Sequence, residues 1–138
     1  MIEVSIVPKE HIDTFWEQVA PLLEPAAEQS HGRYLIGDVY TYITDYDDVL
    51  WVAHDNGRIV GAAVTRQVIY PQKTMLNICF WGGEFPIESW GPHLLELIQR
   101  YAKELKFDGI EAYGRFGWVK KLEPYGYRKC FEVFELPI

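Results

Sequence analysis

The alternation of apolar and polar residues along the chain predicts a protein that mixes strands and helices. Residues 2–7 alternate in polarity, which is typical of a strand. Apolar residues then recur at helical spacing over 12–23, and Pro21 and Pro25 predict that this helix kinks or ends early. Residues 36–43 fit either an amphipathic helix or a strand, because Tyr, Thr and Ile also favour strands.

The clearest unit is an antiparallel hairpin between residues 49 and 70. VLWVAHD reads as one strand and RIVGAAVTRQVIY as the other, and Asn56-Gly57 between them is a strong signal for a two-residue turn. TMLNICFW, residues 74–81, follows as a third consecutive strand. Simple alternation along it predicts that three side chains share one face: Leu76, Ile78 and Phe80.

The remaining pattern adds a helix, a strand, a short helix and a closing strand. The helix runs over about 92–105, the strand over 109–115, and the short helix is broken at Pro124 before a closing strand at 127–136. A strand–helix–strand crossover is right-handed and makes its two strands parallel. Residues 1–138 are therefore expected to form a single α/β domain, with a mixed, mostly antiparallel sheet and helices on both faces.

Composition narrows the function classes. The net charge is −7, from 20 acidic and 13 basic residues, which disfavours nucleic-acid binding and favours a cationic substrate or partner. Two cysteines imply no disulfide framework, and we expect a cytoplasmic protein because no signal peptide is visible. No apolar run approaches the ~20 residues that span a membrane, so no membrane role is expected. The four histidines have no metal-ligand spacing, so no metal site is expected.

The order of elements resembles that of the GNAT superfamily, the acyl-CoA-dependent N-acyltransferases. The resemblance rests on the hairpin VLWVAHDNGRIVGAAV, on the strand, loop and helix at 75–105, and on EPYGYRKCF. That last stretch is similar to the family's late Y-x-x-x-G-F element, with Gly126-Tyr127 in place of Gly-Phe. YGRFGWVKKLEPYGY further resembles small GNAT-like proteins encoded by bacteriophages, which implies the host cytoplasm or the virion as the location.

The resemblance implies that acetyl-CoA binds where the fourth and fifth strands splay apart. In the family its pyrophosphate lies on a Q/R-x-x-G-x-G/A loop, whose three signature positions fall here on Pro86, Ser89 and Gly91, so only the last is kept. Glu84 and Glu88 add negative charge to this loop, which is therefore expected to be degenerate. The residues expected at the coenzyme are Cys79, Phe80, Trp81, Ser89, Gly91 and Pro92.

The resemblance also suggests the catalytic groups. Many members use a Tyr four residues before the late Gly to protonate the leaving thiolate, and that position is Leu122 here. Tyr125 is the alternative acid. The base candidates are Glu84 and Glu111, with Asn77 acting through water as a further option.

Two functions remain open from the sequence. The first is an N-acetyltransferase of weak or lost activity, which would transfer acetyl to a small amine or to a lysine on a protein. The second is a non-catalytic phage binding or virion-associated protein that reuses the same fold.

Gly82-Gly83 is consistent with a bulge that splays the strands or with a simple turn. The sequence does not specify the oligomeric state.

Overall fold

The computed structural model describes residues 1–113 and 121–138. They form an α/β domain with a sheet in the order β1-β2-β3-β4-β5, in which only β4 and β5 are parallel neighbours. This confirms the predicted mixed sheet and its crossover. The strands are β1 Ile2–Val7, β2 Val49–Asp55, β3 Arg58–Ile69, β4 Thr74–Gly83 and β5 Gly109–Ala112. The helices are α1 Ile12–Glu28, α2 Ile36–Asp45 and α3 Gly91–Glu104, with short 3-10 turns at Lys9–His11, Ile87–Ser89 and Glu123–Tyr125.

The sheet separates two apolar layers. On the α1 face, α1 and α2 pack on the sheet around buried Val19, Leu23, Val39, Ile43, Val64 and Phe80. On the α3 face, α3 packs around buried Trp51, Ile78, Trp90, Leu94 and Ile98. Helices therefore cover both faces, as the sequence predicts.

Helix α1 continues through both of its prolines and ends only at Glu28. The prediction of an early end at Pro21 or Pro25 is wrong. The physical reason is the apolar stripe of Val19, Leu23 and Ala27, which stays buried across both prolines. Burial of that stripe outweighs the backbone hydrogen bonds that the prolines cannot donate.

Residues 36–45, which the sequence leaves between helix and strand, form helix α2. Val39 and Ile43 are four residues apart and both are fully buried against the core. The Asp38 carboxylate accepts a hydrogen bond from the Leu35 N–H at 2.8 Å, which satisfies one backbone donor at the helix start. Helical periodicity therefore outweighs the strand preference of individual residues.

Strand β4 contains a bulge that changes which side chains share a face. Val64 of β3 pairs with Phe80 and Thr65 pairs with Ile78, so Cys79 has no residue opposite it. Ile78 consequently packs on the α3 face and Phe80 on the α1 face. The prediction that these two side chains share one face is wrong, because simple alternation does not hold across a bulge.

The ladder between β4 and β5 is short. It runs from Met75 opposite Gly109 to Ile78 opposite Ala112, whereas β4 continues to Gly83. Among residues 109–113, the described part of this segment, the ladder therefore reaches no further along β4 than Ile78. The predicted end of this strand at Gly114 and Arg115 lies outside them.

The predicted closing strand is wrong, since residues 127–138 form neither helix nor strand. Phe131, Val133 and Phe134 are exposed there. Glu135 is held by an ion pair with Arg33 at 2.8 Å, beside the connection between α1 and α2. Alternation of apolar residues favours a strand, but a strand forms only with a hydrogen-bonded neighbour.

Candidate functional site

A pocket of about 220 Å³ opens at the N-terminal end of α3, on the α3 face. It brings together Trp81 from β4, Gly91 and Pro92 from the start of α3, and Tyr125 from the last 3-10 turn. These are three of the residues expected at the coenzyme and the expected acid. The pocket is completed by Ile87, Glu88, Leu95, Lys121, Leu122 and Pro124.

The start of α3 offers few backbone donors to an anion. The first N–H groups of a helix have no partner within the helix, and Pro92 has no N–H, so Gly91 and His93 are the donors of this turn. Ser89 ends the preceding 3-10 turn, and its hydroxyl donates to the Pro86 carbonyl at 2.8 Å. That hydroxyl is engaged within the loop.

The pocket combines opposite charges from distant parts of the sequence. Glu88 comes from the loop before α3, and Lys121 comes from the segment before the last 3-10 turn. The Lys121 ammonium also lies 5.9 Å from the centroid of the Phe85 ring. A cation in the pocket reduces the cost of bringing an anionic group past Glu88.

Trp90 fixes the loop onto the sheet. Its ring is fully buried, and its indole N–H donates to the Glu84 carbonyl at 2.8 Å. A Cβ on Gly61 would lie 2.5 Å from that ring, and one on Gly83 would overlap both the ring and the Val60 carbonyl. Gly83 is thus required for close packing of Trp90.

Glu84 forms an ion pair far from Glu111, the other candidate for the base. Its carboxylate pairs with Arg58 at the tip of the β2–β3 hairpin. Asn77, the residue opposite Glu111 in the sheet, lies seven residues earlier, which is about 23 Å along a strand. Glu84 and Glu111 therefore cannot act on the same atom.

Glu111 belongs to a polar cluster on the α1 face. The Tyr70 hydroxyl donates to its two carboxylate oxygens at 2.8 and 3.0 Å, and the Asn77 amide donates to one of them at 2.6 Å. The hydrogen bond to Glu111 raises the pKa of Tyr70 to about 12. The phenol is therefore a donor at neutral pH and is not a base.

Two other predicted coenzyme residues lie on this α1 face. Phe80 is buried edge-to-face against Tyr34, with ring centroids 5.1 Å apart. Cys79 is half-buried at the bulge, and burial raises the pKa of its thiol to about 12. Beside them, Arg66 makes a bidentate ion pair with buried Asp48 at 2.8 to 3.2 Å.

The described part of the chain contains no group of three or more His, Cys, Asp or Glu side chains arranged to hold a metal ion. Among its helices, none is long and apolar enough to cross a membrane.

Comparison with known proteins finds similarity in structure and not in sequence. No family model and no curated protein matches the chain. An aminoglycoside acetyltransferase from an uncultured soil metagenomic sample superposes with a TM-score of 0.77 at 12% identity, over 100% of this chain and 99% of that one. A GNAT family acetyltransferase from Staphylococcus aureus gives 0.70 at 14%, over 99% and 98%. A predicted acetyltransferase with acetyl-CoA from Clostridium acetobutylicum gives 0.71 at 15%, over 99% and 96%.

This chain has the GNAT acetyltransferase fold. The superpositions extend over nearly the whole chain, so the likeness concerns the entire domain. At this level of identity it establishes the fold alone. Within the GNAT fold the expected residues fall into two groups, one in the pocket on the α3 face and one around Glu111 on the α1 face.

Two residues of these groups escape inference from the sequence. Lys121 is about thirty residues from the loop whose pocket it lines, and no local pattern distinguishes it from the neighbouring lysine. Tyr70 directly follows β3, and in the sequence it resembles any aromatic residue of a strand. Alternation of side chains predicts that Tyr70 and Glu111 share a face only when the bulge in β4 and the register between β4 and β5 are known.

Proposed function

We propose that this protein is an N-acetyltransferase that transfers the acetyl group of acetyl-CoA to an amine. The observation that carries the proposal is the pocket at the start of α3, which brings Trp81 of β4, Gly91 of the helix start and Tyr125 together. It lies in a fold shared with acetyltransferases, one of them solved with acetyl-CoA. A cleft at a helix N-terminus suits an elongated ligand with an anionic end.

The residues present fit a coenzyme A pyrophosphate, with reduced affinity. Gly91 and His93 offer backbone N–H groups and Lys121 offers a cation. A Cβ on Gly91 would lie 3.0 Å from Ile87, so glycine keeps this side of the pocket open. Glu88 opposes the phosphates and Pro92 offers no donor, so we propose that the loop is a degenerate phosphate loop.

The acceptor is proposed to be a cationic amine. The net charge of −7 favours positively charged substrates. Two of the similar structures are aminoglycoside acetyltransferases, enzymes named for acceptors rich in amino groups. A small polyamine or a lysine side chain of a protein both meet this description.

The proposed reaction is direct transfer. The neutral amine nitrogen attacks the thioester carbonyl carbon, a C–N bond forms, and the C–S bond breaks. Before the attack the acceptor ammonium loses one proton to a base, for which Glu111 is the candidate, since Glu84 is paired with Arg58. A second proton leaves the nitrogen after the attack and replaces the one that the acid gives to the thiolate. The departing thiolate takes a proton from an acid, and Tyr125 in the pocket is the candidate. This pairing of acid and base requires the thioester to lie beyond the last β4–β5 pair, Ile78 with Ala112, where it can be reached from both faces of the sheet.

The test is release of thiol from acetyl-CoA with a panel of amines, including spermidine and a lysine peptide. We expect activity in the wild type and a loss of about 10²-fold or more for Tyr125→Phe at unchanged thermal stability. Tyr46→Phe removes the hydroxyl of an exposed tyrosine at the end of α2 and is the matched control. An active Tyr125→Phe variant would assign the acid role elsewhere, to water or Tyr127.

The second candidate is a non-catalytic binding protein, either a phage protein or a virion-associated one, with the same fold. Leu122 favours it, because this apolar side chain lines the pocket at the position where the family resemblance puts the acid. Under this hypothesis, no amine of the panel releases thiol above background. Calorimetric titration with coenzyme A then decides whether the pocket still binds the coenzyme.

A further inference from the structure

Glu111 is held on one side by two donors. The Tyr70 hydroxyl at 2.8 Å and the Asn77 amide nitrogen at 2.6 Å both donate to the same carboxylate oxygen, Oε2. The other oxygen, Oε1, receives only the longer contact of 3.0 Å from Tyr70. Because two donors on one oxygen fix the rotation of the carboxylate, Oε1 is the oxygen left with hydrogen-bonding capacity.

Asn77 has an unused acceptor beside this carboxylate. The residue is 1% exposed, and its amide oxygen Oδ1 has no hydrogen-bond partner among residues 1–113 and 121–138. A buried acceptor without a partner is unfavourable and is rare in native proteins. The oxygen therefore has the capacity to accept a hydrogen bond from one N–H or O–H donor.

The charge of the cluster indicates what kind of donor this is. Asp48, a buried acid, is neutralised by Arg66. Glu111 forms no ion pair with any residue in the described part of the chain, so its charge is matched there by the neutral donors Tyr70 and Asn77. A carboxylate oxygen next to a free amide oxygen suits an ammonium group, which carries donors only.

We infer that Tyr70, Asn77 and Glu111 form one acceptor-binding unit, in which Tyr70 and Asn77 hold the Glu111 carboxylate and Asn77 Oδ1 accepts a hydrogen bond from the acceptor's ammonium group. The inference rests on the proposed function and names the residues that bind the acceptor. Glu111 takes the proton that this ammonium loses, and Tyr70 is a positioning residue that acts through Glu111.

A double-mutant cycle tests the positioning role. Tyr70→Phe removes only the hydroxyl, and we expect kcat/KM for the amine to fall about 10-fold or more while KM for acetyl-CoA is unchanged. In a Glu111→Gln background the same change should alter activity less than about twofold, because no base remains to be positioned. Tyr113→Phe is the matched control, a nearby tyrosine that is largely exposed.

The hydrogen bond between Tyr70 and Glu111 can also be tested without an activity assay. Replacing the charged partner by Glu111→Gln should lower the pKa of Tyr70 from about 12 towards its ordinary value of 10.0. Nuclear magnetic resonance of tyrosine labelled at Cζ follows this titration, and the Tyr70→Phe spectrum assigns the signal. Thermal melts of all variants check that each is folded.

The outcomes separate this inference from the proposed function. A loss in Tyr70→Phe that disappears in the Glu111→Gln background, with the shifted titration, supports the unit. An equal loss in both backgrounds, or no loss, overturns it and leaves the acetyltransferase standing. A wild type that acetylates no amine overturns both, and the Tyr70 titration then shows whether the contact with Glu111 exists.

Discussion

Replacing Glu88 by Gln should tighten the binding of coenzyme A. Glu88 lines the pocket at the start of α3 together with Lys121, so any phosphate in that pocket meets one like and one opposite charge. The substitution removes the like charge and keeps the size of the side chain. The converse change, Lys121→Met, removes the opposite charge and should weaken binding.

The size of the pocket sets the expected change in the free energy of coenzyme A binding. A sphere of 220 Å³ is about 7.5 Å across, so a phosphate inside it lies on the order of 5 Å from a carboxylate on the wall. Two unit charges at ~5 Å repel by about 0.8 kcal/mol in bulk water and by about 3.3 kcal/mol at an effective dielectric constant of 20. The pocket is open to solvent, so we expect about 1 kcal/mol, which is roughly fivefold in Kd.

Isothermal titration calorimetry with coenzyme A measures both effects. Glu123→Gln is the matched control, because it changes the net charge equally at a residue that does not line the pocket. We expect Glu88→Gln to lower Kd and Lys121→Met to raise it, with Glu123→Gln close to the wild type. Equal shifts for Glu88→Gln and Glu123→Gln would refute the reasoning, since only the overall charge would then matter.

Two further predictions concern packing and the cysteines. Gly82→Ala should lower the free energy of unfolding by about 3 kcal/mol or more in urea titrations, because its Cβ would overlap the Leu22 carbonyl oxygen of α1. Gly37→Ala, in α2 with open space around it, should instead be neutral or stabilising, and equal losses would contradict the packing argument. Iodoacetamide at neutral pH should modify exposed Cys130 and spare Cys79, whose pKa is raised to about 12 by burial; mass spectrometry that finds Cys79 modified first would contradict this assignment.

The sequence was sufficient for the elements whose signals are local. The Asn56-Gly57 turn joins β2 and β3, and both residues have positive φ, 51° and 84°, as a two-residue turn of this type requires. The apolar period of α3 and the single crossover into β5 likewise follow from spacing along the chain. Those signals sufficed for the sheet order and the GNAT resemblance.

Tertiary packing decided the elements whose local signals conflict. Pro21 and Pro25 oppose a helix, yet α1 continues because its stripe of buried residues rests on the sheet. Gly82 and Gly83 look like a turn or a strand-splaying bulge from the sequence. In the structure Gly82 allows the Leu22 carbonyl to pack closely against β4, and Gly83 does the same for the Trp90 ring. The bulge lies at Cys79.

The candidate site shows the same division. Residue types and the resemblance predict a site role for Trp81, Gly91, Pro92 and Tyr125, and the fold brings them to one pocket. The roles of Lys121 and Tyr70 depend on which distant residues become neighbours, and a single sequence does not carry that information. One extra residue in β4 was enough to put Ile78 and Phe80 on opposite faces, because side chains alternate with a period of two and a bulge inverts the pattern beyond it.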